Sequence, residues 1–301
     1  MVWPSYGGFF APAGGLDNKY CLPALFAHRA HSTWEGMRKF LPFLPSRPTV
    51  SVVRLSGVIG GRARGGLNDS GIGPAIDKAF RRGNPSAVVL EISSPGGSPV
   101  QSSLIGARIR GLADEKNIPV IAFVEDVAAS GGYWLAAAAD EIYADPNSVV
   151  GSIGVIAASF GASELINRHG IERRVYTAGQ SKSMMDPFRP EKAEDVDRLK
   201  SLLNDIHANF INHVKERRGS KLASDVDLFT GEVWLAERAT DLGLIDGIGH
   251  LRPFMKDRFG DKIKINRYGA KRGLLSRFGA QIVGDAVASI EDRALYAQFG
   301  L

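Results

Sequence analysis

Cysteine is all but absent: Cys21 alone stands among 301 residues. One thiol cannot close a disulfide within the chain, and it rules out a metal site built from several thiolates. It suits a reducing compartment without proving one. Long hydrophobic runs are missing too. No window offers the ~20 apolar residues that a membrane span requires. Residues 1–45 hold no basic stretch followed by an unbroken apolar one, and Val2–Leu16, though uncharged, is interrupted by Pro4, Pro12 and several glycines. Charge is not gathered into tracts: 37 Lys and Arg against 32 Asp and Glu leave a scattered excess of +5. No basic-aromatic module of the nucleic-acid-binding kind is present, so nucleic acid is not an expected partner. Ligand spacing for a metal or an organic cofactor is also lacking, and neither is expected.

What is present divides into zones. Residues 1–47 form an N-terminal arm rich in Gly, Pro and aromatics, ending in Phe40-Leu41-Pro42-Phe43-Leu44-Pro45. Trp3, Phe9, Phe10, Trp34, Phe40 and Phe43 lie there near Arg29, Arg38, Lys39 and Arg47. That mixture fits peripheral contact with a bilayer and a subunit contact equally well.

From residue 48 onward, short β-branched runs alternate with helical stretches. Strands are predicted at Thr49–Leu55, Ala87–Ile92, Val120–Val124, Glu141–Ala144, Ser152–Ala157 and Glu172–Tyr176. Helices are predicted at about 72–82, 99–115, 130–139 and 161–169. The alternation implies an α/β fold with a mostly parallel sheet. A long helix begins near Pro190, where Val196, Leu199, Leu203, Ile206, Phe210 and Val214 make one apolar stripe. Residues 251–301 read as a basic tail ending in a helix around Ile282, Val283, Val287, Ile290 and Leu295.

Two Gly-rich segments follow predicted strands, where open α/β sheets place their sites. In Ala128-Ala129-Ser130-Gly131-Gly132-Tyr133, the serine opens a helix, so it projects from a sharp turn beside the next backbone N–H. That suits an acyl-transfer nucleophile with an oxyanion donor. It equally suits an ordinary helix N-cap. In Ser93-Ser94-Pro95-Gly96-Gly97-Ser98, the glycines permit N–H groups to face a cleft, or form a plain type II turn. The match to a phosphate-binding loop is poor, because no Lys-Ser/Thr pair follows.

A serine nucleophile needs a base. None of His28, His31, His169, His207, His213 and His250 lies in a segment that suggests a triad partner. An ordinary lysine amine is only about 0.04% neutral at pH 7, so a basic lysine needs apolar cover. Lys182, in Gly179-Gln180-Ser181-Lys182-Ser183-Met184-Met185, has two methionines beside it, although a solvated lysine would read the same way.

Taken in order, these two Gly-rich segments, then Gly151-Ser152-Ile153-Gly154-Val155, Gly179–Met185, and Thr230-Gly231-Glu232-Val233-Trp234 with Gly243-Leu244-Ile245-Asp246-Gly247, resemble the signal peptide peptidase A (protease IV) and SohB family. The resemblance spans residues 48 to 250. It implies a Clp/crotonase-like superfold of repeated β-β-α units, with a helical extension, and a serine endopeptidase that uses a Ser–Lys dyad. It implies Ser130 as nucleophile, Lys182 as general base, Ser152 as the serine that orients the lysine, and Gly97 and Gly131 as oxyanion donors. Gly96, Ser98, Ile153 and Gly154 are the expected substrate-binding backbone. Extended or unfolded peptides, such as remnant signal peptides, are the implied substrates. A ring- or dome-like homo-oligomer is the implied assembly, with a dyad completed within or between chains.

The chain departs from the family in lacking a spanning segment and in carrying one catalytic repeat. We read the compartment as cytoplasmic, with peripheral membrane association through the arm. Two other enzymes share the superfold. An acyl-CoA hydratase or isomerase wants carboxylates beside the Gly pair, where Tyr133 and Trp134 stand. A Ser–His–Asp peptidase wants a histidine where Val155 stands. A non-catalytic scaffold at a membrane surface is the third alternative.

Overall fold

The computed structural model describes residues 47–60, 66–179, 181–269 and 293–301. The N-terminal arm and most of the expected tail helix lie outside them, and only residues 293–297 of that helix are seen to be helical.

The order is β1 (Thr49–Ser56), α1 (Asp69–Arg81), β2 (Ala87–Ser94), α2 (Pro99–Lys116), β3 (Val120–Ala129), α3 (Gly131–Ala137), β4 (Glu141–Ala144), β5 (Val149–Gly151), α4 (Ser163–Arg168), α5 (Ala193–Arg218), β6 (Val233–Leu235), α6 (Ala236–Asp241), β7 (Gly247–Ile248), α7 (Leu251–Phe259) and β8 (Lys264–Tyr268). Local chemistry sets several of these boundaries. Asn68 caps α1 by accepting from the Gly71 N–H at 2.9 Å. Ser98 caps α2, Pro99 follows at its first turn, and Asn117 ends it in the left-handed conformation.

The result is a mixed α/β unit around an eight-stranded sheet in the order β6-β5-β3-β2-β1-β8, with β4 beside β3 and β7 beside β4. Every pairing is parallel except β5 with β6. Strand β2 is buried along its whole length, which is why Ala87–Leu90 reads as a continuous apolar run. One face of the sheet packs Leu55, Leu90 and Ile92 against Ile76, Phe80, Ile105, Ile109 and Tyr133 of the helices. The other packs Val50, Val52, Val89, Ile121 and Phe123 under Leu251 and Met255 of α7.

Strand β3 forks, and the fork builds the site. Its first half, Ile121–Val124, pairs with β4, and its second half, Val127–Ala129, pairs with β5. The register against β2 slips between Ile92 and Ser94, so β3 carries extra residues there. The strand thus leaves one neighbour for another and delivers the chain to Ser130.

Two predicted strands are not strands. Residues 152–162 are irregular, because Ser152 takes φ 52° and ends β5 at Gly151. Glu172–Tyr176 pairs with no strand among the described residues, and Tyr176 is 90% exposed. Helix α5 buries only the C-terminal part of its apolar stripe, Phe210 and Val214. Residues 251–268, expected to begin a basic tail, instead supply α7 and an edge strand parallel to β1.

The end of α5 is locked to the sheet by a buried ion pair. Arg218, 4% exposed, donates to Asp246 at 2.7 Å and to the Gly243 carbonyl at 2.9 Å. Lys221 and the Ile142 N–H also donate to the Asp246 carboxylate, at 2.6 and 2.8 Å. Burial raises the carboxyl's pKa, but these donors outweigh it and hold Asp246 below the ordinary carboxylate range. Its contribution to stability is complete above that range and is lost as pH falls through the depressed one. Replacing Asp246 with Ala leaves Arg218 buried without its partner. Urea unfolding of D246A is expected to show a loss of about 3–5 kcal/mol, and a loss within 1 kcal/mol of zero would refute the lock.

Candidate active site

Three segments meet at the carboxyl end of β2, β3 and β5. The first is the Pro95-Gly96-Gly97 turn. Ile59, on the strap after β1, donates its N–H to Gly96 O at 2.7 Å and accepts from Ser98 N at 2.8 Å. In that parallel bridge the amide of Gly97 points to the opposite side, away from Ile59. Gly97 has φ 138°, and a Cβ there would overlap the Ile59 carbonyl oxygen. Glycine is therefore required by both backbone and space.

The second segment is the turn between β3 and α3. Ser130 has φ 51° and ψ −122°, an unusual conformation for a residue with a side chain. Its N–H donates to Gly151 O at 2.8 Å, and its carbonyl accepts from Trp134 N at 3.1 Å. The hydroxyl is half-buried and has no hydrogen-bond partner among the described residues. Gly131, the first residue of α3, keeps an amide that the helix itself cannot use. The two turns touch: a Cβ on Gly96 would lie 2.8 Å from Ser130 Cβ and 2.9 Å from Gly131 N. Two buried serines pin the arrangement. Ser94 Oγ donates to Gly57 O at 2.7 Å, and Ser102 Oγ to Ser98 O at 2.9 Å.

The third segment is Gly151–Gly154. Ser152 donates its N–H to Glu232 O at 2.7 Å, and Gly154 N returns to Ser152 O at 2.9 Å. Ile153 is buried, and its carbonyl accepts from His207 Nε2 at 3.0 Å. Gly154 lies against Gly231, where a Cβ would sit 3.1 Å from the Gly231 Cα.

The structure therefore gathers Gly96, Gly97, Ser98, Ser130, Gly131, Ser152, Ile153 and Gly154 into one region. Lys182 is not gathered with them in the single chain. It lies in a turn on an arm between Gly154 and α5, is exposed, and makes no side-chain hydrogen bond to any described residue. The arm has a shape of its own: Ala162 N donates to Pro187 O at 2.6 Å, and Arg173 reaches Asp186 at 3.3 Å. Its apolar side chains face solvent, with Ile156 85% and Phe160 88% exposed.

Sequence reasoning passed over the α5 residues behind the site. His213 stacks on Trp134, with centroids 4.3 Å apart, and donates to the Trp134 carbonyl at 3.1 Å. Burial lowers the pKa of its imidazole and favours the neutral ring. Arg217 donates to the Ala137 and Ala139 carbonyls, both at 3.1 Å. These partners lie 78 to 80 residues away along the chain, and no local pattern signals such pairings.

Residues 113–258 match the profile described as Peptidase family S49. Among curated proteins, the "Na(+)/H(+) antiporter NhaA" of Brucella abortus (strain 2308) is 48% identical over 286 residues, 88% of this chain and 39% of that protein. The chloroplastic "Serine protease SPPA" of Arabidopsis thaliana is 30% identical, across 73% of this chain and 34% of its own length. The "Probable protease SohB" of Haemophilus influenzae is 30% identical, across 66% of this chain and 56% of its own. The chain thus spans less than two thirds of each of these relatives. No helix among the described residues is long and apolar enough to cross a membrane.

Proposed function

We propose that this chain, whose residues 113–258 match the Peptidase family S49 profile, is a serine endopeptidase of the signal peptide peptidase A and SohB kind, working through a Ser130–Lys182 dyad. The observation that carries the reading is Ser130 itself. It is held on a strained strand-to-helix turn, its hydroxyl has no hydrogen-bond partner among the described residues, and the Gly96 backbone packs against it and the Gly131 amide. The domain from 48 onward is read as a Clp/crotonase-like superfold of repeated β-β-α units. The names of the relatives give no support to a hydratase or isomerase.

In the proposed reaction the neutral Lys182 amine takes the Ser130 proton, and the alkoxide attacks a peptide carbonyl. The Gly97 and Gly131 amides stabilise the oxyanion, each worth ~3 kcal/mol. The charged lysine then protonates the leaving amine, and later activates water to release the acyl-enzyme. Ser152 orients the lysine amine. The free edge at Gly96–Ser98 and the Ile153–Gly154 segment flank an extended peptide by backbone pairing. Remnant signal peptides and other unfolded chains are the substrate class.

A lysine that serves as a base needs apolar cover, and Lys182 is exposed in the single chain. The exposed Ile156, Phe160 and Tyr176 on the same arm support a homo-oligomeric ring or dome, in which a neighbour covers the arm and the dyad closes between chains. The compartment is read as cytoplasmic, with peripheral membrane contact through residues 1–47.

Cleavage of unfolded casein and short fluorogenic peptides tests the activity. Wild type is expected to cleave, and Ser130→Ala, folded and assembled, is expected to lose at least ~10⁴-fold in kcat. Wild-type rates in S130A would end the reading.

A further inference from the structure

We propose that His207 is a positioning residue of this peptidase site, holding through the Ile153 carbonyl the strained turn that seats both Ser130 and Ser152. The proposal rests on the reading of Ser130 as the nucleophile. The turn is unusual: Gly151 has φ 115°, Ser152 has φ 52°, and Gly154 N bonds back to Ser152 O across the buried Ile153. Such a backbone persists only where its surroundings hold it.

Four hydrogen bonds do so. Ser130 N binds Gly151 O, Ser152 N binds Glu232 O, Gly154 N binds Ser152 O, and His207 Nε2 binds Ile153 O. The first three are backbone to backbone. His207 supplies the one that a side chain makes, and the one that a substitution removes. A carbonyl only accepts, so Nε2 carries the proton in this contact, whichever charge state the ring holds.

The contact closes a circuit. Helix α5 reaches Ile153 through His207, and Gly151 of the same turn holds Ser130 N. The Ser130 carbonyl receives Trp134 N, and the Trp134 carbonyl receives His213 of α5 at 3.1 Å. One helix thus grips the backbone on both sides of the nucleophile. The N-terminal end of α5, Ala193, follows closely in the chain on the arm that bears Lys182. A small misplacement of reacting groups is costly to turnover and nearly silent in substrate binding.

The test compares His207→Gln with His207→Asn in the full-length, assembled protein. A Gln side chain can bring its amide nitrogen near the place of Nε2, whereas Asn falls short. Both are polar and tolerate the site alike. In peptide cleavage, H207N is expected to lose about tenfold or more in kcat with KM within about twofold, and H207Q to stay within about threefold of wild type. Labelling of Ser130 by a fluorophosphonate probe should slow in the same order. Equal losses in Gln and Asn, or kcat in H207N within about twofold of wild type, overturn the proposal. If H207N fails to assemble, the Gln variant decides alone: rescue supports the contact and failure refutes it. A Ser130→Ala control that still cleaves overturns the underlying reading of the site, while a silent control beside a failed Gln/Asn pair overturns the role of His207 alone.

Discussion

Mixing Ser130→Ala chains with Lys182→Ala chains is expected to restore peptidase activity that neither variant has by itself. In the single chain Lys182 is exposed on an arm and makes no hydrogen bond to Ser130 or Ser152, while every other expected site residue is gathered around Ser130. If the dyad closes between chains, a mixed assembly contains sites with an intact serine from one chain and an intact lysine from the next. Random co-assembly of equal amounts yields about a quarter of such sites. Each parent should fall by at least ~10⁴-fold, so recovery to roughly a quarter of wild type stands far above background. The measurement is peptide cleavage after unfolding and refolding the two variants together. No recovery, with mixed assemblies demonstrated, would place both dyad members in one chain.

Gly97→Ala is expected to reduce kcat by ~10²-fold or more and to lower stability as well. The backbone at Gly97 has φ 138°, and a methyl group there would meet the Ile59 carbonyl oxygen, which cannot yield because it accepts the Ser98 N–H. The turn must shift, and with it the Gly97 amide proposed as an oxyanion donor. Gly83→Ala separates strain from function. Gly83 also has positive φ, 79°, but nothing lies within 4 Å of its missing Cβ, and it stands between α1 and β2. That variant should lose about 1 kcal/mol of stability through backbone strain and retain full activity. Denaturant unfolding and steady-state rates on both variants check the pair. A fully active G97A would remove the Gly97 amide from the mechanism.

The parts of the site that were legible in the sequence are those in which chemistry and backbone coincide in a few adjacent residues. Pro95-Gly96-Gly97 and Ser130-Gly131 each combine a turn with its functional group, so the motif and the geometry are one signal. The central strands were readable for a similar reason. Burial on both faces writes a continuous apolar run into Ala87–Leu90 and Val120–Val124. Strands β6 and β7, three and two residues long, are too short to carry any period. Edge strand β8 sets one Ile among Lys264, Asn266 and Arg267, and reads as part of a basic tail.

Ser152–Ala157 and Glu172–Tyr176 have strand-like composition without a strand's partner among the described residues. Composition records what a segment can do, while pairing depends on a neighbour that local sequence does not encode. The arm carrying Lys182 follows the same logic, since its apolar residues declare burial without naming what buries them.

The α/β class, the sheet's central strands, the Ser130 turn and the glycine turn beside it are legible locally, because each is set by sterics and burial within a short stretch. Folding alone makes β3 fork between two partners, turns the Gly97 amide away from Ile59, and brings α5 back to hold Ile153, Trp134 and Ala137. Those contacts join residues separated by tens of positions, and their energy exists only once the whole sheet has formed.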